Sequence, residues 1–176
     1  MTTVPLRTLA DSVNPDAWQL STAAGDLPLG SARGESPPAS GGFFCNGSGI
    51  LFASTERAFS QALGASFATS DEFLRFFSCA GCFLEDLSHS PVDRLPPRER
   101  EQALEDCVEP FAARLRTLSP ELIVVFLKKI APFVGRAARL AGTPSESIHV
   151  LPFPGMGNQN RYVAELAPIL RWGLKP

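Results

Sequence analysis

Two histidines and four cysteines carry most of this chain's capacity for proton transfer, metal ligation and thiol chemistry. Cys79 and Cys82 stand in a C-x-x-C spacing, the opening of many zinc ligand sets. Neither a second pair nor histidine partners complete the set, so no metal and no cofactor are expected. Cys82 and Cys107 read instead as small core hydrophobes. His149 begins an apolar run and reads as a core or edge imidazole. His89 lies in a polar loop, SHSP, where an imidazole titrating near neutral pH suits acid–base work as well as a solvated surface. Asp86 ends the run CFLEDL and, when ionised, offers only acceptors. Neither G-x-G-x-x-G nor G-x-x-x-x-G-K-[ST] occurs, which disfavours a dinucleotide or P-loop nucleotide enzyme.

The elements that must position these groups follow from patterning. The chain has 176 residues, 44% of them hydrophobic and 19% charged, which suits one folded domain over residues 1–176 and excludes a disordered one. Residues 1–26 read as a loosely packed N-terminal extension. The net charge of -2 excludes a strongly basic nucleic-acid binder, so any contact with DNA needs a local patch. No apolar segment follows Met1 as in a secretory signal, and no apolar run approaches the ~20 residues of a membrane helix. A cytoplasmic protein without membrane contact, monomeric by default, is the expectation.

Apolar residues recur at helical spacing over residues 50–64 and 70–78, with Ser70 as a cap. Residues 82–87 (CFLEDL), 122–127 (LIVVFL) and 148–151 read as buried strands. One long helix is expected to start at Pro96 and Pro97 and to kink at Pro110. A helix over residues 128–141 stops at Gly142, and a last helix starts at Asn158. Strand–helix alternation predicts a three-layer α/β/α sandwich with a short parallel sheet of about four strands. Ligands of such folds bind at the carboxyl ends of the strands. The loops at 34–44, 88–95 and 152–158, all rich in Gly, Pro and small polar residues, should gather there.

Those loops carry a resemblance. GESP (Gly34 onward) with GGFFCNGSG (Gly41 onward) resembles the first motif of the uracil-DNA glycosylase superfamily, in the branch that reads G-E-A-P-G. SPELIVVFLKKIAP resembles its third strand and following helix, EDCVEPFAARLRTLSPEL the helix before that strand, and VLPFPGMGNQNRYVAEL its H-P-S-P motif and final helix. The order and spacing hold over residues 30–170.

The resemblance implies a base-excision enzyme that flips a deaminated base out of DNA and hydrolyses the N-glycosidic bond. Its alternative is a module of the same fold, weakened or inactive, that binds nucleic acid, nucleotide or protein. Glu35, Ser36 and His89 take the catalytic positions. Ser36 stands where the best-known branch has a water-orienting Asp, and serine is a poor base without a partner. Phe44, Asp86 and Phe153 take the base-binding positions. Phe44 either stacks on the base or fills the core. Asp86 stands for the Asn that reads uracil, or is a strand-terminal Asp in a turn. Phe153 replaces the His that donates to the departing base, and His89 is the candidate replacement. Met156, Asn158 and Arg161 take the DNA side, with Met156 either a wedge in the duplex or packed on Phe153. Arg94, Lys128 and Lys129 are further candidates for phosphate contact. The iron–sulphur cysteines of the branch are absent except for Cys107.

Overall fold

The computed structural model describes residues 44–174, residues 91 and 93 excepted. Glu35 and Ser36, and the strand expected before Gly34, lie outside the described residues. The described residues are mostly helical. Helices α1 (Gly49–Leu63) and α2 (Ser70–Cys79) are followed by a long irregular segment, then α3 (Pro97–Asp106) and α4 (Val108–Leu118). Strand β1 (Ile123–Val125), helix α5 (Ala131–Ala141), strand β2 (Ile148–Val150) and helix α6 (Gln159–Gly173) complete the order.

The four-strand sandwich is not what forms. Among the described residues the sheet has two strands, β1 and β2, parallel, with Ile123 opposite Ile148 and Val125 opposite Val150. Residues 82–87 pair with neither. Their composition explains this: Glu85 and Asp86 interrupt the apolar run, and Phe83 is exposed. The carbonyls of Asp86 and Leu87, which a ladder would use, accept instead from the Nη2 of Arg114 at 2.8 and 3.3 Å. Downstream, Arg100 likewise donates to the carbonyls of Val92 and Leu95. Two arginines thus satisfy backbone carbonyls along the irregular segment, Arg114 on the expected strand and Arg100 on the loop after it.

Helix boundaries follow local chemistry. The long helix breaks at Cys107, three residues ahead of Pro110, and does not run on as one kinked rod. A continuous helix would drive the Pro110 ring into the carbonyl of Asp106. Ending at Asp106 places Pro110 in the first turn of α4, where an N–H has no partner anyway. Thr69, not Ser70, caps α2: its hydroxyl accepts from the Glu72 N–H, while the Glu72 carboxylate accepts from the Ala68 N–H. Ser70 instead donates to the Gly47 carbonyl. A Cβ at Gly47, whose φ is 67°, would lie 2.4 Å from that of Ser70, so only glycine fits there. Pro132 delays α5 to Ala131, and Gly142 ends it in the left-handed region.

Two clusters form the core, one against each side of the strand pair. The first joins Phe44, Phe52, Phe59 and Phe73 to Tyr162, Val163, Leu166 and Leu170 of α6, with Val124 from β1 and Leu151 just past β2. Phe73 is fully buried and meets Phe44, Phe52, Phe59, Phe67 and Phe77 edge-on or tilted. Such pairs add about 0.5–1.5 kcal/mol each beyond area burial. The second cluster joins α3, α4 and α5 through Leu104, Phe111, Leu115, Val134 and Ala138, with Ile123, Val125 and Ile148 from the strands. No helix among the described residues is long and apolar enough to cross a membrane.

Candidate nucleic-acid interface

Because β1 and β2 are parallel, the loops that leave them emerge at one edge of the sheet. The Leu151 N–H donates to the Val125 carbonyl at 2.8 Å and carries the pairing to that edge. After β1 come Leu127, Lys128 and Lys129, all exposed. After β2 comes PFPGMGN. Pro154 and Leu151 are buried, and Phe153 is half-buried against the first cluster. A Cβ at Gly155 would sit 3.0 Å from the Phe153 ring, so the loop folds back tightly on that side chain.

Met156 is the outcome of that fold. It is 94% exposed, the most exposed large hydrophobic side chain among the described residues. Its φ is 55°, a left-handed conformation that costs a non-glycine residue about 1–2 kcal/mol. The expected alternative, packing on Phe153, is therefore not taken. Burial does not account for this apolar side chain, which stands on a left-handed backbone.

The loop is anchored from behind. Asn158 occupies the N-cap of α6, but its side chain donates back to the Gly155 carbonyl at 3.1 Å. One turn on, the buried Tyr162 hydroxyl meets the Thr55 hydroxyl of α1 at 2.9 Å, and Thr55 donates to the Leu51 carbonyl. Burial pushes the Tyr162 phenol pKa up, so this bond stays neutral throughout the working pH range. Arg57 of α1 donates to the Asn160 side chain at 2.7 Å. Arg161 donates to Glu165 at 2.6 Å and remains 60% exposed. The first turn of α6 contains no acidic residue. Between Glu121 and Glu165 the only acidic residue is Glu146. Exposed cations thus follow each strand, Lys128 and Lys129 after β1 and Arg161, paired with Glu165, after β2, and Arg57 of α1 joins the second group through Asn160.

Asp86 lies elsewhere on the irregular segment. Cys82 and Leu84 pack against the first cluster, and Leu87 lies within the second, so the segment bridges the two. Asp86 lies on this bridge, and the charges that act on its carboxyl are those of Glu85, His89 and Arg114. Glu85 reaches α4. Its carboxylate lies 2.6 Å from Arg114 Nε, an ion pair not aligned as a hydrogen bond, and 3.1 Å from His89 Nε2. Burial pushes the Asp86 carboxyl up to about 6, and the Glu85 charge adds to this; His89 and Arg114 oppose it. Among the described residues the carboxyl has no hydrogen-bond partner. It is the one carboxyl there with a resolved upward shift, and perturbed acids of this kind concentrate at functional sites.

The remaining expected residues divide. Phe44 takes the core alternative: it is 4% exposed, and its ring contacts Phe52, Phe73 and Phe77. Its faces are filled, which leaves no surface for a base to stack on. The His89 side chain is 54% exposed and paired with Glu85. Arg94 is exposed, and His149 is half-buried in β2. Cys82 and Cys107 are free and half-buried, and burial pushes the Cys82 thiol up to about 11, which keeps it protonated and inert. Sequence reasoning passed over Arg114, Glu85 and Arg57. Glu85 and His89 stand at an i, i+4 spacing, a visible signal, whereas Arg114 looked like any cation on a solvated helix face. The acid-poor stretch before Glu165 was also legible. Comparison with family models, curated proteins and solved structures finds no match for this chain, so the site is read from its own residues.

Proposed function

We propose that this chain binds duplex DNA at the edge where the loops after β1 and β2 meet. Met156 enters a base step as a wedge, and the displaced, deaminated base is received on the side of Asp86. Met156 carries the reading: an apolar side chain 94% exposed, on a strained backbone, beside a cationic and acid-poor rim. Wedge residues of this kind partly unstack a step and gain affinity from the protein surface the opened duplex then meets. Lys128, Lys129 and Arg161 supply phosphate contacts, which set register and salt dependence but not base choice. The resemblance to the uracil-DNA glycosylase superfamily supports the same assignment of Met156 and Arg161. Binding alone is the stronger reading, because Phe44 is committed to the core and His89 to Glu85.

The test uses duplexes carrying uracil, hypoxanthine or xanthine with 2-aminopurine beside the lesion. Insertion raises 2-aminopurine fluorescence on binding. Met156→Ala should abolish that rise and weaken binding about tenfold, the scale of one lost stacking contact, with an unchanged thermal midpoint. Equal binding and equal fluorescence in Met156→Ala would dismiss the wedge.

Base excision is the second reading, and the Asp86 carboxyl favours it. The edge of uracil offers N3–H as donor and O4 as acceptor. An ionised Asp meets O4 with a lone pair, while a protonated one answers both, as Asn would. A carboxyl that titrates near 6 holds its proton in mildly acid solution. Alkali cleavage of the same duplexes after incubation at pH 5.5 and pH 8 separates the readings. Abasic-site formation that rises as pH falls supports excision, and none at either pH leaves binding alone.

A further inference from the structure

We propose that Arg114 is the residue that positions Asp86, its guanidinium holding backbone carbonyls that no ladder among the described residues takes up. The inference rests on the reading that Asp86 receives the displaced base. Three consecutive residues converge on this one planar group. Nη2 donates to the Asp86 carbonyl at 2.8 Å and to the Leu87 carbonyl at 3.3 Å. Nε lies 2.6 Å from the Glu85 carboxylate. The far side of the guanidinium lies over the Phe111 ring, 5.0 Å from its centre, which fixes its plane.

A segment beside a sheet is ordinarily registered by hydrogen bonds every second residue. Among the described residues nothing of that kind exists, yet Asp86 sits at a burial deep enough to move its titration. Arg114 projects from α4, a helix built into the second core cluster through Val108, Phe111, Ala112 and Leu115. The fork therefore transfers the rigidity of that core to the segment. Lysine cannot substitute: it keeps the charge but has no planar fork to hold two carbonyls and a carboxylate at once. The charged groups that act on the Asp86 carboxyl are Glu85, His89 and Arg114, and all three belong to this arrangement.

Arg114→Lys in the full chain is the decisive variant, since charge is conserved and only the fork is lost. Carbon-detected NMR follows the Asp86 carboxyl through pH. If Arg114 positions the segment, water reaches the carboxyl in the variant. Its midpoint then falls by at least about one pH unit toward the ordinary value of about 3.9. An unchanged midpoint overturns the proposal. The same preparation is assayed on uracil-containing and normal duplexes. Binding to normal duplex, which depends on Met156, stays within about twofold, whereas preference for uracil falls in Arg114→Lys, whose Asp86 is then ionised at pH 5.5, and rises at pH 8 in Asp86→Asn, whose amide answers both groups of the uracil edge. A lowered midpoint together with unaltered lesion preference in both variants upholds the positioning role and removes Asp86 from base reading. If Arg114→Lys does not fold, the wild type answers directly. Restricted rotation of the Arg114 Nη protons and a coupling across the hydrogen bond to the Asp86 carbonyl are expected, and freely rotating, uncoupled Nη protons overturn the proposal.

Discussion

The loop bearing Met156 and the segment bearing Asp86 are both irregular, yet different forces hold them. Behind Met156 stand an aromatic core, a neutral hydroxyl pair between Thr55 and Tyr162, and tight backbone turns around Gly155 and Gly157. Behind Asp86 stand a guanidinium, a carboxylate and an imidazole, with Arg114, Glu85 and His89 in contact. The first arrangement is indifferent to salt and pH. The second should respond to both, because charge pairs near the surface weaken with ionic strength and with titration. Under the proposed function, such a molecule would keep its DNA-contacting edge constant while the group beside the base is tuned.

The largest effect should come from breaking the aromatic side. Phe73→Ala removes a fully buried ring at the centre of the phenylalanine cluster. Buried Phe→Ala substitutions cost about 3–5 kcal/mol, so denaturant unfolding should shift by that amount. A shift under about 1 kcal/mol would mean that the cluster is not one cooperative core.

On the charged side, the next effect is a pH slope. The folded pKa of Asp86, about 6, lies above its value in the unfolded chain, about 3.9. Folding thus favours the protonated acid. Its contribution is whole below about pH 4 and is lost as pH rises through about 6, on the order of 3 kcal/mol in all. Asp86→Asn removes the titration and should flatten the stability profile over that window, so that the variant is the more stable one at pH 8. Parallel profiles for wild type and variant would show that the carboxyl is not desolvated in solution.

Tyr162→Phe comes third. It leaves the Thr55 hydroxyl bonded to the Leu51 carbonyl and removes only the neutral pair, worth about 1 kcal/mol. The loss should be the same at pH 5 and pH 8. A loss that changed with pH would tie this side to a charge and erase the contrast. Smallest in stability is Lys128→Gln with Lys129→Gln. Both side chains are exposed, and surface changes stay within about 0.5 kcal/mol. Their effect belongs to DNA binding, where the slope of log affinity against log salt should fall by about 1 for each lysine. An unaltered slope would move the phosphate contacts elsewhere.

The sequence displayed these two sides unequally. The runs around Ile123 and Ile148 were legible as strands because β-branched residues crowd them, and the stop at Gly142 because a left-handed residue ends α5. Of the two alternatives read for Met156, packing on Phe153 is not what forms, since the side chain is 94% exposed. CFLEDL misled because period and propensity describe side chains and do not reveal where backbone carbonyls find donors. Arg114 lies 28 residues beyond Asp86, and no local pattern announces a tertiary side-chain bond. For the same reason the break at Cys107 was sought at Pro110: the proline acts on the carbonyl four residues earlier, so the damage appears upstream of its cause.

The left-handed backbone at Met156 sets selection for stability against selection for use. Glycine at that position would relieve about 1–2 kcal/mol of strain and give back about 0.5–1 in chain entropy, a small net gain for the fold. A library ranked only by heat resistance would therefore drift toward glycine at position 156 and lose the projecting side chain. Variants that retain methionine there under such pressure would record a requirement that folding itself does not impose.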